Sequence, residues 1–132
     1  MVDHSILLKT LDHYGIRGLA LQWMKSYLGN TKQYITVNGT NSYCNFMNYG
    51  VLQGSILGPL LFIIYINDIP GIAQYAKFIL YADDAYIIIT ANTIEEVQEQ
   101  LLKLINSLLN WVNCNGLALN LKKNKIYDFF KV

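Results

Sequence analysis

Asp83 and Asp84 stand alone between two short, apolar, β-prone segments, residues 77–82 and 85–90. Two residues between strands is hairpin spacing, so this stretch is expected to fold back on itself with both carboxylates at the tip. That arrangement is costly. The flanks read Phe78-Ile79-Leu80 and Ile87-Ile88-Ile89. Adjacent carboxylates repel each other and resist desolvation beside a buried sheet. Asp-Asp is also a poor two-residue loop, because such loops want glycine or asparagine at positive φ. Two things can compensate. One is solvent at an exposed tip, where Asp is common. The other is a hard divalent cation, which prefers carboxylate oxygen. A function that needs carboxylates there would account for the strain.

The rest of the chain supplies helices to back such a hairpin. Residues 2–14 carry Ile6, Leu7, Leu8 and Leu11 near helical spacing, until Gly15 and Gly18 interrupt. Residues 19–28 predict a second helix with Leu21, Met24 and Leu28 on one side. Residues 32–38 favour a strand, Asn38-Gly39 a tight turn, and residues 43–49 the return strand. Residues 50–54 form a loop, after which Ser55 is placed to cap a helix running to about Asn67, with Pro59 tolerable in its first turn. Pro70-Gly71 breaks the chain. Thr93 and Glu96 have capping-box spacing. Behind them Ile94, Val97, Leu101, Leu104, Ile105, Leu108 and Val112 make a helical stripe that ends at Gly116. Trp111, Cys114 and the stripe over 101–112 read as core, and residues 126–130 as a last strand. The order predicts an α+β fold, helices packed on an antiparallel sheet, in one domain spanning 1–132.

Composition narrows the function classes. Of 132 residues, 53% are hydrophobic and 14% charged, against about 25% charge in ordinary domains. The chain is therefore globular and has apolar surface to spare for further parts of a larger protein. A net charge of +1 does not mark a free-standing nucleic-acid binder, although Lys122, Lys123 and Lys125 cluster. Cys44 and Cys114 lack metal-ligand spacing. No apolar run reaches the ~20 residues of a membrane span, and residues 1–9 do not read as a secretory signal, so an intracellular protein is expected.

Tyr81-Ala82-Asp83-Asp84 resembles the signature turn of reverse transcriptases. Gly50-Val51-Leu52-Gln53-Gly54-Ser55 and the helix after it resemble the family's Gly-Val-Pro-Gln-Gly-Ser segment. His13-Tyr14-Gly15-Ile16-Arg17-Gly18, Trp23-Met24-Lys25-Ser26-Tyr27-Leu28 and Leu117-Ala118-Leu119-Asn120-Leu121-Lys122-Lys123 are similar to further blocks of non-LTR, Jockey-like enzymes. The resemblance implies a partial polymerase palm and RNA-directed DNA synthesis with two Mg²⁺ ions. It implies an RNA template, a DNA primer and deoxynucleotides as partners, and no membrane. It makes Asp83 the main metal ligand and Asp84 its more peripheral companion. Tyr81 and Ala82 lie beneath the primer end. Gln53, Gly54 and Ser55 position template and nucleotide. Lys123 either acts on the leaving pyrophosphate or is a surface lysine, and Gly50, Gly54 and Gly58 either serve binding or only shape the chain.

The pattern departs from the family in three places. Met1-Val2-Asp3-His4 resembles the tail of the family's Phe-Asp-x-Val-Asp-His segment, so the catalytic Asp falls one residue before Met1, and Asp3 matches the later, non-catalytic one. Fingers and thumb segments are absent from these 132 residues. Leu52 replaces a proline. The chain alone is therefore expected to be inactive. Two other readings stand beside this one. The first is a decayed transposon remnant with no catalytic function. The second is a membrane-surface protein, for which no basic amphipathic helix speaks.

Overall fold

Asp3 opens the first helix because its carboxylate replaces the missing partners of the first turn. In a computed structural model describing residues 2–29, 31–52 and 54–120, its Oδ1 accepts the Ser5 and Ile6 backbone N–H groups at 2.8 and 3.1 Å. Helix α1 (His4–His13) buries Leu7 and Leu11. It stops where Gly15 turns to φ +88°. There the Gly15 and Ile16 N–H groups donate to Asp12 and Leu11 carbonyls, both at 3.0 Å, a Schellman closure. The Ser5 hydroxyl first, then the Ile6 amide, holds the Asp3 carboxyl below its ordinary pKa. The cap's contribution is complete above the unfolded pKa and is lost as pH falls through the folded value.

Helix α2 (Gly18–Gly29) buries Leu28, with Leu21 and Met24 on the same side against the core. Next come four two-residue strands: β1 (Lys32–Gln33), β2 (Thr36–Val37), β3 (Thr40–Asn41) and β4 (Asn45–Phe46). Asn38 and Gly39 take φ +50° and +79°, the type I′ turn their identities favour. The two long strands expected at 32–38 and 43–49 are corrected. The return strand starts at Thr40, and the ladder is interrupted where the Ser42 hydroxyl accepts the Ile35 N–H at 3.0 Å. A side chain has taken the place of a ladder bond. Pairing resumes with β1 against β4, where Lys32 lies 4.9 Å over the Phe46 ring.

Helix α3 (Leu57–Ile66) is followed by a 3₁₀ turn over Ile69–Ile72 that absorbs Pro70-Gly71. Strands β5 (Ala76–Tyr81) and β6 (Asp84–Ile89) form a hairpin, and α4 (Ile94–Cys114) closes the fold. Half of the capping box forms: Thr93 Oγ1 accepts the Glu96 N–H at 3.2 Å, while the Glu96 carboxylate accepts the N–H of Asn92, one residue before the cap. Gly116 (φ +60°) ends α4 in a second Schellman closure.

The α+β architecture with antiparallel pairing is as expected. The single sheet is corrected: among the described residues there are three separate two-stranded ribbons, β1–β4, β2–β3 and β5–β6. Strands of two exposed residues have no common apolar face to bury, so nothing draws the first two ribbons into one layer. Cys114 is also corrected, being exposed. It lies two residues past buried Val112, about 200° round the helix. Ile94 and Ile105 of the expected stripe are exposed as well, leaving Leu104 and Val112 as its buried members. The lysines 122, 123 and 125 and the expected strand at 126–130 lie outside the described residues. Among the described residues no helix is long and apolar enough to cross a membrane.

The core joins Val2, Leu7, Leu11, Leu28, Leu61, Tyr65, Ile66 and Ile69, with Phe78 and Leu80 of β5 and Val51 packed against it. Tyr65 is its polar pin. It is 1% exposed; its hydroxyl donates to the Asn115 carbonyl and accepts the Asp3 N–H at 3.3 Å. Burial pushes its pKa up. Tyr65→Phe keeps the ring but leaves both backbone groups unpaired. A loss of about 1–3 kcal/mol in denaturant unfolding is expected, and an unchanged midpoint would refute the pin.

Candidate functional site

Strand β5 alternates cleanly, while β6 is exposed over its first three residues, Asp84 to Tyr86, and alternates only beyond them. Phe78 and Leu80, paired with Ile87 and Ala85, lie on the core-facing side, while Lys77, Ile79 and Tyr81 alternate to the outer one. Anchoring one face at the core fixes the register and carries the tip out to solvent. The tip is not the one the composition suggests. Tyr81 pairs with Asp84, so the two-residue loop is Ala82-Asp83, and Asp84 is the first residue of β6. The positive φ (+49°) falls on Ala82 and on neither aspartate.

That geometry is strained. A left-handed conformation costs a non-glycine residue roughly 1–2 kcal/mol. The Asn38-Gly39 turn carries turn residues at its positive-φ positions, whereas this tip carries alanine. Strain of this kind persists only where surrounding structure over-determines it. Ala82→Gly is expected to raise stability by up to about 1 kcal/mol, the relieved strain exceeding glycine's extra chain entropy. With the loop at Asp83-Asp84, Ala82 would be strand interior and the same change would cost about 0.5–1 kcal/mol. The sign of the shift in a thermal melt therefore decides the turn.

Tyr81, Ala82, Asp83 and Asp84 are all exposed. Tyr81, 77% exposed, stands opposite Asp84 across the ribbon. The two carboxylates offer hard oxygen donors open to water and to a large substrate, a donor set that suits Mg²⁺. They supply only part of its shell. Among the described residues no group of three or more His, Cys, Asp or Glu side chains is placed to hold an ion. Asp3 is committed to capping α1.

The second group of candidates precedes α3. Gln53 and Lys123 lie outside the described residues. Leu52 and Ser55 close a turn, the Ser55 N–H donating to the Leu52 carbonyl at 3.2 Å, with Gly54 at φ +79° in its third place. The Ser55 hydroxyl donates to that same carbonyl at 2.7 Å and accepts the Gly58 N–H at 3.0 Å. Ser55 thus makes the expected capping contact, although Ile56 is already helical. Upstream, the Gly50 N–H donates to the Val2 carbonyl at 2.6 Å. The Gly50 carbonyl lies 2.7 Å from His4 Nε2, which must donate. Val51 and Leu80 anchor this loop and the carboxylate ribbon on one apolar cluster. No hydrogen bond joins the two groups among the described residues.

For Gly58, where the sequence leaves binding and chain shaping both open, the structure gives a packing reason. A Cβ on Gly58 would stand 2.9 Å from the Leu52 carbonyl oxygen and 3.0 Å from Ser55 Oγ. The signal was a glycine inside an otherwise apolar helix, where it is unfavourable unless something approaches closely.

A family model described as reverse transcriptase (RNA-dependent DNA polymerase) matches residues 1–131. The RNA-directed DNA polymerase from mobile element jockey of Drosophila funebris is 30% identical over 109 residues, covering 77% of this chain and 12% of that protein. The probable RNA-directed DNA polymerase from transposon BS of Drosophila melanogaster is 32% identical over 95 residues, covering 67% and 10%. The jockey polymerase of Drosophila melanogaster is 24% identical over 107 residues, covering 76% and 12%. The chain thus spans about a tenth of the length of these relatives. No solved structure matches it.

Proposed function

The chain belongs to the reverse transcriptase (RNA-dependent DNA polymerase) family, and from that premise we propose that its 132 residues form part of the palm of a non-LTR retrotransposon's RNA-directed DNA polymerase. The observation that carries this reading is the pair of exposed carboxylates at the strained tip of a core-anchored hairpin. Asp83, in the loop, is the main ligand for Mg²⁺, and Asp84, held by the β6 ladder, the peripheral one. Mg²⁺ bound there would activate a primer 3′ hydroxyl and neutralise charge on the departing pyrophosphate. Tyr81 and Ala82 lie under the primer end. Gly54 and Ser55 belong to the turn that meets RNA template and incoming deoxynucleotide, and Gln53 is the further candidate for that contact. Lys123 is the candidate for the pyrophosphate.

Two carboxylates from one turn are fewer than a two-ion site needs. The 132-residue polypeptide on its own is therefore expected to give no primer extension. Synthesis by it in Mg²⁺ that disappears in Asp83→Ala would overturn that expectation. The metal assignment is tested by titrating the chain with Mn²⁺ under NMR. Selective broadening at Asp83 and Asp84, reversed by excess Mg²⁺ and absent in Asp83→Asn, is the expected result. Uniform broadening over all the carboxylates would sink it.

A further inference from the structure

We propose that Ser55 is a positioning residue, whose hydroxyl locks the 52–55 turn onto α3 instead of touching nucleic acid itself. The inference rests on the reading that this turn meets template and nucleotide. A serine hydroxyl carries one hydrogen. Here that hydrogen is committed to the Leu52 carbonyl at 2.7 Å, and a lone pair takes the Gly58 N–H at 3.0 Å. The side chain therefore ties the start of the turn to the first turn of the helix.

A second, independent observation agrees. Gly54 has open space around its missing Cβ and is glycine for its φ of +79°, whereas Gly58 is glycine for contact. Any side chain at 58 would push on the Ser55 hydroxyl itself and on its acceptor, the Leu52 carbonyl. Upstream, Val2 and His4 hold Gly50. Gly50 and Ser55 are thus each held to a neighbouring element, and residues already held lose less freedom when they bind.

The test uses the whole 132-residue chain, amide hydrogen exchange, and anisotropy titration with an RNA–DNA hybrid bearing a recessed primer end. Ser55→Ala is expected to speed Gly58 amide exchange about tenfold, with the Tyr65 and Leu104 amides unchanged, and to weaken hybrid binding severalfold. Ser55→Thr keeps the hydroxyl and should restore both readouts. Unchanged Gly58 exchange in Ser55→Ala overturns the proposal. So does weakened binding without faster exchange, which would mean the hydroxyl touches the hybrid. If the unmodified chain does not bind the hybrid while Ser55→Ala still frees the Gly58 amide, the nucleic-acid reading fails and the lock stands.

Discussion

Asp83→Asn, placed in a polypeptide that carries this segment together with the other segments of a jockey-type polymerase, is expected to lower Mg²⁺-dependent primer extension by roughly 10³-fold or more. The substitution keeps size and shape and removes one charge. Metal stabilisation of transferring charge is worth several kcal/mol, and each 1.36 kcal/mol is a factor of ten in rate. Asp84→Asn should cost less, because Asp84 belongs to the β6 ladder opposite Tyr81 and lies outside the two-residue loop. The two variants are to be compared at matched template binding, so that lost metal is not confused with lost affinity. Equal, small losses would mean the carboxylates are only a solvated tip.

Leu61→Ala should cost about 2–5 kcal/mol of folding stability, whereas Leu60→Ala should cost no more than about 0.5 kcal/mol. These neighbours differ only in where α3 points them: Leu61 is 1% exposed and Leu60 51%. Leu61 lies in the cluster with Leu7, Leu11 and Tyr65, and truncating it leaves a cavity that the crossing of α1 and α3 cannot fill. Urea unfolding of the 132-residue chain gives both numbers, provided the slope with denaturant is unchanged. The reverse order would mean that α3 is turned about 100° from the orientation described.

That pair also shows what the amino-acid order could and could not reveal. The existence of α3 was legible from its apolar run and flanking breakers. Its inward face was not: Leu57-Gly58-Pro59-Leu60-Leu61-Phe62-Ile63-Ile64-Tyr65-Ile66 is apolar on every side, so periodicity carries no direction. Helix α4 was the opposite case, with a cap signal and an acidic outer face around one stripe, and its start matches the Thr93 signal. Asn38-Gly39 gave its turn away because both residues suit positive φ. The carboxylate tip was displaced by one residue because alanine carries no turn signal and Asp-Asp carries a weak one. Local chemistry pointed to the aspartates, and the ladder from Ala76 to Tyr81 overruled it. The candidate site was legible through resemblance, while Gly58 inside an apolar helix signalled a close approach without naming its partners, Ser55 and Leu52, which only the fold brings there.

One phenolic oxygen bonds residue 3 on one side and residue 115 on the other. The intervening chain is therefore a closed circuit, fastened near both of its extremities by a group that belongs to neither. A single cut in the exposed Asn38-Gly39 bend would not release two pieces: Tyr65 and Asn115 both lie in the trailing portion, which keeps hold of the leading one through the Asp3 amide and the packing of α1 on α3. Severed in that way, the molecule should still behave as one body, held by contacts that pay no attention to the order of the backbone.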